Sequence, residues 1–273
     1  MIDVRLRLLS ELAERDDLVR VSDGTRMLPA PQSASDDLRD ATFVPRDAWR
    51  PATNEEWLKL TRPSATSQAC SVHLMKVFDP AALGDLEALR ATPEPIVSTP
   101  MGLMTDDRFA RIVEALRRLN ARLGGDSIHV AVLREPPGLT TISHDPQTGK
   151  AVGLHIDAWS PAEDRSRAPN VERLDVNLSV EEREFLFVPV SIHSIVRVLG
   201  LQVNASGRAR RKEVAKRFLA RFPATPVVKV RIPAGFAYRA PVEALIHDGG
   251  SSTAKHWSHH VAFEGTFVAQ QMS

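Results

Sequence analysis

The spacing of apolar residues changes near residue 125. In the first part of the chain, apolar side chains recur three or four residues apart, which predicts helices. The first stripe is formed by Ile2, Leu6, Leu9 and Ala13. Two further helices are predicted, one after Asp79-Pro80 and one from residue 105 to the Gly124-Gly125 pair that ends it.

Between residues 22 and 66 this periodicity is weak. Five prolines interrupt the stretch, which predicts loops and short irregular pieces. We expect Trp49 and Trp57 to anchor it to the rest of the protein.

After residue 125, short β-prone runs recur between turn signals, a pattern typical of an all-β barrel or sandwich. One amphipathic helix is predicted as an insertion at 208–222. The predicted strands are 127–133, 151–157, 173–178, 184–190, 193–199, 227–232, 236–241 with an extension to His247, and 259–268.

Composition limits the possible partners. The chain carries 35 basic and 34 acidic residues, a net charge of +1, so its overall charge favours neither nucleic acid nor an anionic membrane. The single cysteine, Cys70, excludes an internal disulfide framework. The first residues are charged, and no run approaches the roughly 20 apolar residues of a membrane span. We therefore expect a cytoplasmic protein without a membrane or nucleic-acid partner.

Candidate chemistry begins at the end of the second predicted strand. In an extended backbone, side chains at i and i+2 share a face, so His155 and Asp157 project together. One imidazole and one carboxylate are two of the three ligands in the 2-His-1-carboxylate site of non-haem Fe(II) oxygenases. A His-x-Asp triplet also arises by chance, so a third ligand is needed.

The best third ligand is His247, which ends a β-prone run and precedes a Gly-Gly pair that permits a sharp turn. His193 is a weaker candidate, because it opens a predicted strand only 38 residues after His155 (193 − 155). The remaining candidates are a turn histidine, His144, and a cluster that we expect on the surface or in a sheet: His256, His259 and His260.

The residues from about 127 to 268 resemble the Fe(II)- and 2-oxoglutarate-dependent oxygenases. In that family a His-x-Asp follows the second of eight core strands and the distal histidine lies on the seventh, as in the strand count above. Three further stretches resemble one bacterial branch: Pro136 to Thr141, Leu154 to Trp159, and Arg173 to Phe187 with Asn177, Arg183 and Phe185.

The resemblance implies a mainly β protein with flanking helices and a double-stranded β-helix core, a jelly roll similar to that of the cupins. The chain would be a single domain, 1–273. An N-terminal helical and irregular part, 1–125, would pack on the core at 126–273, which contains the helical insertion at 208–222. The N-terminal part would supply a lid and substrate walls.

The resemblance also implies the chemistry. His155, Asp157 and His247 would bind Fe(II), 2-oxoglutarate and O₂ would be cosubstrates, and a small molecule such as an amino acid or a biosynthetic intermediate would be the substrate. In halogenating relatives a small residue replaces the carboxylate, so Asp157 favours hydroxylation or desaturation. Trp159 would line the substrate opening. The sequence does not indicate the oligomeric state.

The residue that anchors the far carboxylate of 2-oxoglutarate is less evident. Most relatives use an Arg or Lys on the last core strand, where this chain has none, and Lys255 comes too soon after His247. Some branches place the cation shortly after the His-x-Asp motif, which indicates Arg173 or Arg183; we favour Arg173. Arg239 is a further candidate, since it precedes His247 on the same predicted strand. A guanidinium suits the task because it binds a carboxylate through two parallel hydrogen bonds.

Two alternatives remain open. A cupin-like metal enzyme could use oxygen without 2-oxoglutarate, as the missing arginine suggests. A non-catalytic β-sandwich could bind a ligand, with the three residues in structural roles.

Overall fold

A computed structural model describes residues 2–8, 17–28, 38, 41–62, 70–77, 114, 126–145, 147–157, 171–201 and 208–267. The helices within these ranges are α1 (Asn54–Thr61), α2 (Ile192–Leu199) and α3 (Arg208–Arg221). The strands are β1 (Val4–Arg7), β2 (Val19–Ser22), β3 (Thr25–Leu28), β4 (Thr42–Pro45), β5 (Trp49–Pro51), β6 (Cys70–Lys76), β7 (Asp126–Glu135), β8 (Glu172–Asn177), β9 (Arg183–Ser191), β10 (Val227–Ile232), β11 (Phe236–Ala240), β12 (Leu245–Gly250) and β13 (Ser258–Thr266).

The strands form two main sheets. One has six strands in the order β1-β6-β11-β8-β13-β7, and the other has five in the order β12-β9-β10-β2-β5. The segment 151–157 lies beside β12, where the backbones of His155 and His247 form an antiparallel bridge. A small third sheet contains β3 and β4.

The pairing identifies a double-stranded β-helix. Eight core strands run in chain order from β7 through segment 151–157 to β8–β13. The first, eighth, third and sixth are neighbours in one sheet, and the second, seventh, fourth and fifth are neighbours in the other. This interleaving is the jelly-roll arrangement, and it confirms the fold class expected from the sequence.

The N-terminal strands extend both core sheets. β6 and β1 continue the six-stranded sheet beyond β11, and β2 and β5 continue the five-stranded sheet beyond β10. The prediction of loops and irregular pieces for 22–66 is wrong for the described residues of this stretch, which form β3, β4, β5 and α1. The helix α1 begins with a capping box, in which Thr53 and Glu56 each bond the backbone N–H of the other.

The helix predicted from Ile2 is also wrong over its described part. Val4 and Leu6 are buried while Arg5 and Arg7 are not, so buried positions alternate with a period of two residues, as in a strand. This strand, β1, pairs in parallel with β6. Tertiary pairing overrides the helical spacing here. The predicted helices at 79–89 and 105–123 lie outside the described residues, apart from Glu114.

Two errors in the strand prediction cancel. Residues 193–199 form the helix α2, which is capped by the Ser191 hydroxyl and ended by Gly200 at a φ of 66°. The run 236–247 is divided by a turn at Pro241, with Ala244 N–H donating to the Pro241 carbonyl. One strand is lost and one is gained, so His247 still lies on the seventh core strand.

Two apolar cores hold the sheets together. The first lies between them and includes Leu6, Leu74, Phe185 and Val230. The second covers the outer face of the five-stranded sheet, where α2 and α3 pack through residues such as Ile195 and Phe218. Trp57 packs against the first core and Trp49 against the second, as expected of anchoring residues. No helix within the described ranges is long and apolar enough to cross a membrane.

Candidate metal centre

Three side chains converge at one end of the barrel. His155 and Asp157 come from the second core strand and His247 from β12, and one ligand atom of each lies within 4.8 Å of the others. The two strands are held in register by reciprocal hydrogen bonds, from His155 N–H to the His247 carbonyl at 3.0 Å and from His247 N–H to the His155 carbonyl at 2.8 Å. Direct strand pairing therefore sets the two imidazoles side by side, with ring centroids 5.0 Å apart.

Both imidazoles are oriented by a backbone carbonyl two residues earlier. His155 Nδ1 lies 2.7 Å from the Gly153 carbonyl oxygen, and His247 Nδ1 lies 3.0 Å from that of Leu245. A carbonyl only accepts, so each Nδ1 carries a hydrogen and each Nε2 faces the site. Nε2 of His247 keeps its lone pair, whereas Nε2 of His155 lies 3.0 Å from Asp157 Oδ1 and would release its proton on binding a metal. This is the orientation that metal-bound histidines ordinarily have.

The spacing of the ligand atoms suits a single ion. His155 Nε2 is 3.0 Å from Asp157 Oδ1, and His247 Nε2 is 3.7 Å from Asp157 Oδ2. Nitrogen and oxygen ligands lie about 2.1 Å from a divalent transition metal, so neighbouring ligands of one ion are about 3 Å apart. Asp157 Oδ2 is buried, and the charged group beside it is the guanidinium of Arg173.

Burial and neighbouring charges set the protonation states of the three side chains. Burial and the positive charges of His155 and Arg173 lower the pKa of His247 to about 4 against the opposing charge of Asp157, so His247 is neutral near pH 7. Burial would raise the pKa of Asp157, but His247, His155 and Arg173 hold it well below its usual range. Burial also opposes charge on His155, yet its hydrogen bond to Asp157 and the charge of Asp248 raise its pKa.

Arg173 lies directly against the carboxylate. Its Nη2 is 2.7 Å from Asp157 Oδ2 and 3.1 Å from Glu264 Oε1, and Glu264 is the residue opposite Arg173 on β13. The side chains of Arg173 and Glu264 are 13% and 16% exposed, so this ion-pair chain is largely shielded from water. It fixes the guanidinium beside the triad.

A second charged group lies deeper in the barrel. Asp175 follows Arg173 by two residues on the same face of β8, and its carboxylate contacts Arg183 Nη1 at 2.5 Å and His260 Nδ1 at 2.7 Å. Between this group and His247 lies Phe185, whose ring centroid is 4.0 Å from that of Tyr238 and 5.8 Å from that of His247.

The other predicted site residues are not brought to the triad. Arg239 lies on the outer face of the six-stranded sheet, where it contacts Glu172 and His73. Lys255 is exposed in the loop between β12 and β13, and its backbone N–H donates to Glu181. Trp159 lies outside the described residues.

The alternative histidine ligands lie elsewhere as well. His193 is exposed on α2, and His144, which forms an isolated antiparallel bridge with Ala151, has its Nδ1 2.6 Å from the Ile142 carbonyl. Of the C-terminal cluster, His256 is exposed and pairs with Glu181, whereas His260 is buried against Asp175.

Sequence reasoning did not find Glu264, Asp175 or the role of His260. The strand period places Arg173 and Asp175 on one face of β8, so Asp175 could have been found from alternation alone. Glu264 required the register of β13 on β8, which sets Glu264 opposite Arg173 and has no signature in the sequence.

Comparisons with known proteins give similarity in structure alone. No family model matches the chain, and no curated protein matches it. Among solved structures it is similar to the Kdo hydroxylase KdoO, a non-haem Fe(II) α-ketoglutarate-dependent dioxygenase, with 13% identity over 72% of this chain and 80% of that chain and a TM-score of 0.42.

Two further solved structures are similar at the same level. The carbocyclase SnoK from nogalamycin biosynthesis has 16% identity over 74% of this chain and 83% of that one, with a TM-score of 0.40. HygX from Streptomyces hygroscopicus has 12% identity over 73% of this chain and 84% of that one, with a TM-score of 0.37. The fold of the present chain is assigned from its own strand order.

Proposed function

We propose that the protein is a mononuclear Fe(II) oxygenase that uses 2-oxoglutarate and O₂ to hydroxylate or desaturate a small molecule. The observation that carries this proposal is the convergence of two Nε2 atoms and one carboxylate, with both Nδ1 atoms bonded to backbone carbonyls. Two histidines and one carboxylate, with no thiolate, form the ligand set of non-haem Fe(II) oxygenases. The bound iron would activate O₂ while 2-oxoglutarate is oxidised to succinate and carbon dioxide.

Arg173 would act on the metal carboxylate. Its guanidinium contacts Asp157 Oδ2, which favours binding of the ion through a single carboxylate oxygen. Glu264 would keep Arg173 in this position. With three protein ligands the ion retains open positions for cosubstrate and oxygen.

Arg183 is the better candidate for the far carboxylate of 2-oxoglutarate. The two carboxylate carbons of an extended five-carbon diacid are about 5 Å apart, as four projected C–C bonds give. Asp175, which contacts Arg183, lies two residues beyond Arg173, or about 7 Å along the strand. Arg183 is buried and its Nε donates no hydrogen bond within the described structure, so it has a donor to offer to a carboxylate.

Iron binding is tested with Asp157→Ala. The unsubstituted protein, loaded with Fe(II) without oxygen and freed of excess metal, should retain one iron per chain. Asp157→Ala should retain less than about a tenth of that, because one charged ligand of three is lost. His193→Ala, which removes an exposed histidine, should retain the full amount. Equal retention by Asp157→Ala would refute the metal centre and favour the non-catalytic binder.

Cosubstrate use is tested by titrating 2-oxoglutarate into the Fe(II)-loaded protein without oxygen. We expect binding that Arg183→Gln weakens about 10-fold or more, because a charge-assisted pair is lost. Arg231→Gln serves as the control, since Arg231 lies on β10 and pairs with Asp17 and Glu182. With oxygen and a substrate, one succinate should form per turnover.

A second function is favoured by one specific observation. Arg173 and Arg183, which face the barrel interior, each contact an acidic side chain, and the last core strand, β13, carries no Arg or Lys. This arrangement suits a cupin-like enzyme that uses oxygen without 2-oxoglutarate. Full iron retention with neither 2-oxoglutarate binding nor succinate formation would establish that alternative.

A further inference from the structure

An ion pair crosses the interior of the barrel between the two sheets. Arg183 begins β9 of the five-stranded sheet, and Asp175 lies on β8 of the six-stranded sheet. Phe185, two residues after Arg183, belongs to the core between the sheets, and Arg173, two residues before Asp175, contacts the triad. Strand alternation therefore directs both members of the pair inward, and their contact of 2.5 Å, from Arg183 Nη1 to Asp175 Oδ1, joins the two sheets.

His260 binds the other oxygen of the same carboxylate. It lies opposite Asn177 in the pairing of β13 with β8, which makes it a diagonal neighbour of Asp175. Burial would raise the pKa of Asp175, but His260 and Arg183 hold it well below its usual range, so the carboxylate is ionised. An ionised carboxylate only accepts, so His260 Nδ1 donates to Asp175 Oδ2, 2.7 Å away.

The contact with Asp175 is what orients the His260 ring. The other ring nitrogen, Nε2, is 3.9 Å from Glu135 Oε1, which is beyond hydrogen-bond distance. Nε2 is also buried without a hydrogen-bond partner in the part of the chain that the structure describes. His260 therefore acts on its surroundings through Nδ1 and Asp175.

His260 limits how much of the Arg183 guanidinium Asp175 can occupy. An arginine and a carboxylate frequently pair through two parallel hydrogen bonds, which use both carboxylate oxygens. Here His260 takes Oδ2, so Asp175 contacts Arg183 through Oδ1. The Nε atom of Arg183 is buried and donates to no residue that the structure describes. The guanidinium therefore keeps a donor for a second carboxylate.

Burial makes this open donor informative. Arg183, Asp175 and His260 are 4%, 2% and 3% exposed, so solvent does not compete freely for them. A buried donor without a partner is unfavourable, and a ligand that accepts from it removes that cost. A 2-oxo acid bound at the triad with a carboxylate at its far end would supply such an acceptor, whereas a 2-oxo acid with an apolar end would not.

We propose that His260 is a positioning residue for the cosubstrate and makes the site selective for a 2-oxo dicarboxylate. By occupying Asp175 Oδ2, it prevents a two-point pair between Asp175 and Arg183 and leaves the guanidinium for the far carboxylate. The proposal rests on the proposed use of 2-oxoglutarate. It goes beyond the role of Arg183, because it assigns the selectivity to a residue that acts through Asp175.

The test compares two 2-oxo acids of equal chain length, 2-oxoglutarate and 2-oxopentanoate, which lacks the far carboxylate. Each is titrated by calorimetry into the Fe(II)-loaded full-length protein without oxygen. We expect the unsubstituted protein to bind 2-oxoglutarate at least about 10-fold more tightly than 2-oxopentanoate. His260→Leu should bind 2-oxoglutarate about 10-fold more weakly and 2-oxopentanoate unchanged, because Asp175 is then free to pair with Arg183 through both oxygens.

Three further variants separate positioning from a structural role. His260→Asn carries an amide nitrogen close to the position of Nδ1, so it should keep the preference for 2-oxoglutarate within about 2-fold. His260→Ala lacks a donor there, as His260→Leu does, and should lose the preference whichever of the two packs better. His193→Leu, which changes an exposed histidine on α2, should match the unsubstituted protein.

The outcomes distinguish failure of this proposal from failure of the proposed function. An unchanged preference in His260→Leu and His260→Ala, or an equal loss in His260→Asn, would overturn the role of His260 and leave the use of 2-oxoglutarate intact. Equal weakening of both acids would also overturn it, because His260 would then only maintain the fold. Iron retention by an unsubstituted protein that binds neither acid would refute the proposed function itself.

Discussion

At the scale of single residues, the chemistry of this protein depends on which nitrogen each histidine presents. Backbone carbonyls hold Nδ1 of His155 and His247, so both Nε2 atoms point to Asp157. His73 shows the opposite use of an imidazole. It is buried beside arginines, and burial together with the charges of Arg239, Arg7 and Arg5 lowers its pKa to about 3.

The lowered pKa of His73 makes stability depend on pH. Between about pH 6.5 and pH 3 the unfolded chain binds a proton at His73 that the folded protein does not bind. The free energy of unfolding is therefore complete above pH 6.5 and falls as the pH drops toward 3. Between pH 7 and pH 4 we expect a loss of up to roughly 3 kcal/mol from this residue.

Urea unfolding at both pH values tests this expectation. On acidification, the free energy of unfolding of His73→Gln should fall by that amount less than that of the unsubstituted protein. His193 is an exposed histidine on α2, so His193→Gln should behave like the unsubstituted protein. An equal acid loss in His73→Gln would show that His73 is protonated in the folded state.

At the scale of elements, the segment 151–157 is the most irregular of the eight core strands. It is joined to its neighbours by isolated bridges, at Ala151 to His144, at Gly153 to Phe43 of β4 and at His155 to His247 of β12. Leu154 N–H donates to the Phe43 carbonyl at 2.8 Å. The close approach to β4 occurs at a glycine with a φ of 71°, and a Cβ there would lie 2.4 Å from the Phe43 oxygen.

Gly153→Ala should therefore disturb both stability and the metal centre. A left-handed residue costs about 1–2 kcal/mol when glycine is replaced, and the clash adds to it, so we expect a loss above about 2 kcal/mol with weaker Fe(II) binding. Gly149→Ala is a matched control, because Gly149 has a φ of 67° with open space around its Cβ position. Gly149→Ala should lose only the free energy of placing a non-glycine residue in the left-handed conformation, and its Fe(II) binding should be unchanged. Equal effects in both variants would show that contact with β4 does not position His155.

At the scale of the whole molecule, the N-terminal strands complete the sheets of the jelly roll. β1 contributes Val4 and Leu6 to the core between the sheets, beside Val228 and Val230 of β10. The single domain expected over residues 1–273 stays a prediction, and this shared core makes it testable by unfolding. A single core should unfold in one step.

Calorimetric unfolding of two core variants tests that expectation. Leu6→Ala on β1 should cost about 2–5 kcal/mol and Val230→Ala on β10 somewhat less, and both should lower the same single transition. Each kcal/mol of lost stability lowers the melting temperature by about 2–4 °C in a domain of this size. Leu58 is 42% exposed, so Leu58→Ala should change the temperature of this transition little. Two transitions, with Leu6→Ala lowering only one, would show that the N-terminal part folds separately.

The sequence by itself determined the local features. The i, i+2 spacing of His155 and Asp157 set one imidazole and one carboxylate on one face, because strand alternation is a property of the backbone. The strands 172–177, 183–191, 227–232 and 258–266 followed from β-prone runs between turns, and the helix at 208–221 from its amphipathic period. These patterns are short-range, so they can be read without knowledge of neighbours in space.

Only the tertiary structure decided which distant residues meet. The helical spacing at Ile2 and Leu6 gave way to a strand because β6 offered a partner, and the β-prone run 193–199 became a helix on the outer core. The position of Arg173 against Asp157 and Glu264, and of Arg183 against Asp175, depends on strand register. Register is fixed by the packing of whole sheets and by bulges, and a shift of one residue would turn each side chain to the opposite face.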